Sequence, residues 1–115
     1  MIFIIFMIYI LIIYMPSSLA KINKINKYSN FRKAQRQTRK ILGNNAKLYI
    51  SDRKDKKFMV IDPHTKKQIH FGQIGYEDWL KHHDTQRRQR FLTRNRRWKK
   101  APKYSAAYLA YHVLW

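Results

Sequence analysis

Between residues 85 and 103 the chain carries nine Lys or Arg and no acid: Arg87, Arg88, Arg90, Arg94, Arg96, Arg97, Lys99, Lys100 and Lys103. A run this dense repels itself, so it makes most sense beside a polyanion. Nucleic-acid backbone is the commonest one open to a protein this basic. Phe91, Leu92 and Trp98 interrupt the run, which is therefore more than a disordered tail. The combination points to binding rather than catalysis.

The 115 residues carry 25 basic and 6 acidic side chains, a formal net charge of +19, and allow one small domain. The charge comes in blocks. Residues 1–20 have no charged side chain. Residues 21–47 hold nine basic residues, among them Arg32, Lys33, Arg36, Arg39 and Lys40, and no acid. All six acids (Asp52, Asp55, Asp62, Glu77, Asp78 and Asp84) lie in the mixed centre. Cysteine is absent, which excludes disulfides, thiol catalysis and Cys-ligated zinc.

Met1 to Met15 is an apolar run of fifteen residues, closed by Pro16, Ser17 and Ser18. As a helix it reaches about 22 Å, short of a hydrocarbon core of about 30 Å, and adding Leu19 and Ala20 makes a short span possible. Three readings stay open for residues 1–20. One is a membrane anchor, with Lys21, Lys24 and Lys27 keeping the basic part cytoplasmic. Another is a signal peptide, with Ser18 and Ala20 at cleavage spacing but no basic n-region. The last is an upstream extension encoded by T-rich DNA, with initiation at Met15.

Residues 21–29 are Asn- and Lys-rich and read as a polar linker, so the folded domain is expected over 30–115. Ser29 or Asn30 caps a helix to about Leu42, stopped by Gly43-Asn44-Asn45. Phe31, Ala34, Thr38, Ile41 and Leu42 follow helical spacing, and the basic residues lie mostly away from them. That basic face is either simply solvated or in contact with phosphate.

Three strand candidates follow, around 48–50, 58–61 and 69–71, separated by polar turns as in an antiparallel meander. Such a sheet needs a covering layer. Gly72 and Gly75 bracket a turn into a short helix from Tyr76 to about His83. Asp84 caps a helix from Thr85 to about Trp98, and Phe91 and Trp98 are expected to pin it to the sheet. Beyond Pro102, Ser105 caps a mostly apolar helix, Ala106 to Trp115, expected at the buried centre. The fold class is α+β: a small single domain, a three-stranded antiparallel meander packed with about four short helices, the apolar N-terminal segment outside it.

The stretch from Phe58 to Pro63, then Ile69-His70-Phe71-Gly72-Gln73-Ile74-Gly75-Tyr76-Glu77-Asp78-Trp79, His82, Asp84, Arg87-Arg88, Phe91-Leu92 and Arg94 resembles a family of short basic proteins. These occur in large DNA viruses of eukaryotes and related mobile elements. The close, Trp98, Tyr104-Ser105 and Leu114-Trp115, resembles that family too, and the resemblance covers about residues 31–115. It implies a viral source and a role in the virion or in genome handling, with no more definite function attached. The apolar N-terminus lies outside the pattern, which favours the upstream-extension reading.

Candidate chemistry elsewhere is thin. His82 follows Asp78 by four residues and His70 could approach from a strand, so a His/Asp metal site is conceivable; a structural Asp–His hydrogen bond is the plainer reading. A nuclease needs clustered carboxylates, whereas Asp78 and Asp84 read better as helix caps paired with Arg87 or Arg88. Tyr104, Tyr108, Tyr111 and Trp115 form a stripe at helical spacing, read as core ahead of base stacking. No enzyme activity, metal or cofactor is expected.

Two functions remain. The first is sequence-independent binding of nucleic acid, DNA ahead of RNA, through phosphate contacts from Arg87, Arg88, Arg90, Arg94, Arg96, Arg97, Lys99 and Lys100, with Arg32, Lys33, Arg36, Arg39 and Lys40. The second is a virion structural role, a minor capsid or inner-membrane component whose basic face binds acidic protein or anionic lipid, with residues 1–20 as membrane anchor. Translation of residues 1–20 implies a virion or host-cell membrane location. Initiation at Met15 implies host cytoplasm, nucleus or viral factory.

Overall fold

Phe58 and Val60 alternate with Met59, and Ile69 and Phe71 alternate with His70, the period of a strand with one face in a core. The computed structural model, which describes residues 16–115, builds its sheet from these residues. Strands β1 (Tyr49–Ile50), β2 (Lys56–Ile61) and β3 (Gln68–Gln73) run antiparallel in the order β1-β2-β3. Phe58 sits opposite Phe71 and Val60 opposite Ile69, while Tyr49 faces Met59. The two Phe rings lie 5.9 Å apart across the strands, a contact that adds to their burial. The turn at 62–67 is closed by Asp62, whose Oδ1 accepts from the His64 N–H at 2.9 Å.

Helices cover this sheet. Asn30 caps α2 (Phe31–Leu42), its side chain accepting from the Lys33 N–H at 2.9 Å, and Gly43, at φ 109°, ends it. Ala34 and Thr38 are fully buried on its inner face, and Phe31 stacks over Phe58 at 6.0 Å. From the C-terminal end, α5 (Ala106–Leu109) supplies Leu109 to the core, and the turns that follow supply Val113 and Leu114. Ile25, Leu48, Phe58, Val60 and Phe71 complete that core.

Four elements differ from the sequence reading, one being the short helix expected from Tyr76, which spans only Trp79–His82. Residues 21–26 of the expected polar linker, with 16–20 before them, instead form α1 (Pro16–Asn26), and Ile25 is only 1% exposed. Ile25 supplies the apolar anchor that a linker lacks, and Lys21 ties the helix down through the Ser51 and Arg53 carbonyls. The folded part therefore begins before residue 30.

The basic helix is shorter than expected: α4 (Thr85–Arg94) gives way at Asn95 to a 3-10 turn, Arg96–Lys100. The Asn95 side chain donates to the Phe91 carbonyl at 3.1 Å and so competes for the acceptor its own backbone N–H uses. The final helix is α-helical only to Leu109 and then widens into π-helical turns, Ala110–Leu114. Bonding between residues five apart brings Leu109 and Leu114 onto one stripe, and both are buried.

Among the described residues no helix is long and apolar enough to cross a membrane. Residues 1–15, on which the anchor, signal and extension readings chiefly rest, lie outside the described residues.

Candidate nucleic-acid interface

A helix as rich in arginine as α4 needs help at both ends and along one side. At its start, Asp84 Oδ1 accepts from the backbone N–H groups of Gln86 and Arg87 at 3.0 and 3.1 Å. These hydrogen bonds, the Arg87 one first, hold its carboxyl below the usual Asp range. The preceding α3 (Trp79–His82) is closed by His83 in the left-handed conformation at φ 51°. His82 Nδ1 accepts from the Asp84 N–H at 2.9 Å, so α3 and α4 are bolted corner to corner.

Along its side, α4 is held by the C-terminus rather than the sheet, against expectation. Phe91 stacks flat on Trp115, centroids 4.1 Å apart at 6°, and Trp98 meets the Phe91 edge at 5.9 Å. Trp115, the residue after the C-terminal helix, offers Phe91 a flat apolar surface instead. Arg88 reinforces the joint: Nε donates to the Trp115 carbonyl at 2.8 Å, and the guanidinium lies 4.7 Å over the Trp79 ring.

The expected phosphate-binding residues divide accordingly. Arg88 is committed to this joint, and Arg87 leans on Glu77 at 3.5 Å with both side chains over two-fifths exposed. Arg90, Arg94, Arg96, Arg97, Lys99 and Lys100 are exposed and have no acidic partner within ion-pair distance among the described residues. On α2, Arg32, Arg36, Arg39 and Lys40 are exposed, while Lys33 is half-buried with Nζ 3.0 Å from His83 Nε2. Both basic segments touch the C-terminal helix at His112. Gln37 donates to the His112 carbonyl at 3.3 Å, and the His112 ring meets the Lys99 carbonyl at 3.1 Å.

Asp78 does not pair with Arg87 or Arg88. Its Oδ2 lies 3.1 Å from Lys57 Nζ, and both side chains are at most 3% exposed. Lys57 also donates to the Tyr76 carbonyl at 2.6 Å. Burial pushes the Asp78 carboxyl up and the Lys57 ammonium down, and their mutual attraction opposes both shifts. The Ser29 hydroxyl also favours the charged carboxylate, although Asp78 Oδ1 and Ser29 Oγ lack a full hydrogen bond.

The expected Asp78–His82 hydrogen bond is absent as well. His82 Nε2 is buried without a partner and its ring lies 5.1 Å from Trp115, so burial depresses its pKa, with Arg87 adding to the effect. His70 instead meets the Ser51 hydroxyl at 2.7 Å, with Asp52 at 3.8 Å. Among the described residues no group of three His, Asp or Glu is placed to hold a metal ion.

Tyr104, Tyr108 and Trp115 pack half-buried against the core, whereas Tyr111 is half-buried beside His112 at 4.9 Å. Between α4, the β2–β3 edge and the C-terminal helix opens a cleft of about 620 Å³. Sequence reasoning missed this cleft and its residues Lys56, Lys57, Tyr76 and Glu77. Lys57 could have been found only from strand alternation, because the surrounding Lys-Asp-Lys-Lys reads as a solvated turn.

Residues 46–95 match the profile of a family of unknown function (DUF5754). The matched span runs from just before β1 through α4, so it contains the whole sheet and the capped basic helix. No curated protein and no solved structure matches the chain.

Proposed function

We propose that the protein binds nucleic acid with little sequence preference, through phosphate contacts made by α4 and the 3-10 turn after it, with the outer face of α2 as a second contact. The observation that carries this reading is the set of exposed cations from Arg90 to Lys100 that no acidic side chain neutralises among the described residues. An ordered surface of that charge attracts a polyanion and releases its counterions. Phosphate contacts fix position without reading bases, so little discrimination between sequences follows. The sequence resemblance extends the reading to a viral source, with the genome as the polyanion.

Replacing Arg94, Arg96 and Arg97 together with Gln tests it. Binding to DNA and RNA should weaken uniformly across sequences, with the circular dichroism spectrum and melting temperature near those of the parent. Unfolding of the variant, or unchanged affinity, defeats the assignment.

A further inference from the structure

Arg87, Arg90, Phe91, Arg94 and Trp98 are spaced to share one side of the basic segment, and all of them line the cleft of about 620 Å³. The start of β2, the end of β3 with Gly72, and Trp115 line the rest of it. The volume suits one small ligand of nucleotide size. Its acids are already used: Asp78 by Lys57 and Glu77 by Arg87. Lys56, Arg90 and Arg94 therefore leave the cleft with an excess of positive charge.

Its aromatic surface is only partly used. Phe91 and Trp115 already form a flat stack, while Trp98 is 36% exposed and Tyr76, at the mouth, is 70% exposed. Large exposed aromatics beside uncompensated arginines match a ligand that is flat and apolar at one end and anionic at the other. A base inside a duplex has both faces covered by its neighbours and cannot enter; an unpaired one can.

We propose that this cleft seats an unpaired nucleotide of a single strand, its base against Trp98 and Tyr76 and its phosphates against Arg90 and Arg94. The proposal rests on the phosphate-binding reading above and adds a preference for single strands.

The test compares four 20-nucleotide probes by fluorescence anisotropy at one low salt concentration: oligothymidylate, an abasic strand with the same phosphates, a duplex, and oligouridylate. Oligothymidylate should bind roughly 5- to 100-fold tighter than the abasic strand, the gain expected from stacking a base on an aromatic side chain. Oligouridylate should share that gain, since stacking does not depend on the sugar, and the duplex should bind more weakly than oligothymidylate; a duplex that binds as tightly overturns the single-strand preference. Tyr76→Ala, at a side chain the core does not use, and Trp98→Ala should each shrink that gain while the abasic strand binds as before. Equal affinity for oligothymidylate and the abasic strand, or a gain that survives both substitutions, overturns the cleft assignment and leaves phosphate binding standing. Failure of every probe to bind removes both.

Discussion

Lys57 and Asp78 tie β2 to the start of α3 through a pair that water scarcely reaches. Removing one partner leaves the other as an uncompensated buried charge, which costs about 3–5 kcal/mol. Lys57→Met should therefore lower stability by that amount in urea unfolding, and the double change Lys57→Met with Asp78→Leu should restore most of it. A single variant as stable as the parent would mean the pair contributes little.

Gly72 makes a second prediction at this scale. Its φ is +81°, and an added Cβ would meet Leu114 Cδ1 at 3.0 Å and Lys57 Cβ at 3.2 Å. Gly72→Ala should cost about 2–4 kcal/mol, combining left-handed backbone with overpacking. Gly75→Ala, at φ +94° with open space around it, should cost about 1–2 kcal/mol from the backbone alone. Neither the Lys57 pair nor the crowding at Gly72 is legible in the sequence, since both depend on which segments meet. The caps at Asn30 and Asp84 are legible because their hydrogen bonds span at most three residues.

Among the elements, the α3–α4 corner is where pH should act. The His82 ring is held below its ordinary pKa by burial, so the unfolded chain binds its proton more readily than the folded one. Stability should then fall as pH drops through the unfolded value of about 6.5, and level off below the folded value. His82→Asn, whose Oδ1 keeps an acceptor near the Nδ1 position for the Asp84 N–H, should flatten that part of a melting-temperature profile between pH 7 and 5. An unchanged profile would assign the dependence to another group.

Element boundaries were legible to different degrees here. The strands and α2 follow clean periodicities. The end of α4 depends on one Asn95 side chain, and the π-helical turns on fitting Leu109, Val113 and Leu114 into one core. The helix over Pro16–Asn26 was hidden because its polar composition masks one buried side chain, Ile25.

For the whole molecule, a net charge of +19 concentrated outside the sheet implies that binding should be governed by salt. The α+β class and the meander order followed from three alternating segments and the turns between them. The candidate surface was legible as a run of like charge, and the structure divides it into arginines that hold the fold and cations left over. That division was illegible because Arg88 and Arg90 look alike in sequence; only the position of Trp115 separates them.

The most direct measurement is the affinity for a single-stranded 20-mer between 50 and 200 mM salt, for the parent and for the Arg94→Gln, Arg96→Gln, Arg97→Gln variant. If six to ten phosphates are engaged on a single strand, parent affinity should fall by roughly 300- to 16,000-fold across that range. The variant's log–log slope should be shallower by about 2, one lost phosphate contact per arginine on a single strand. A nearly flat salt response in the parent, or an identical slope in the variant, would contradict the assignment of this surface to phosphate.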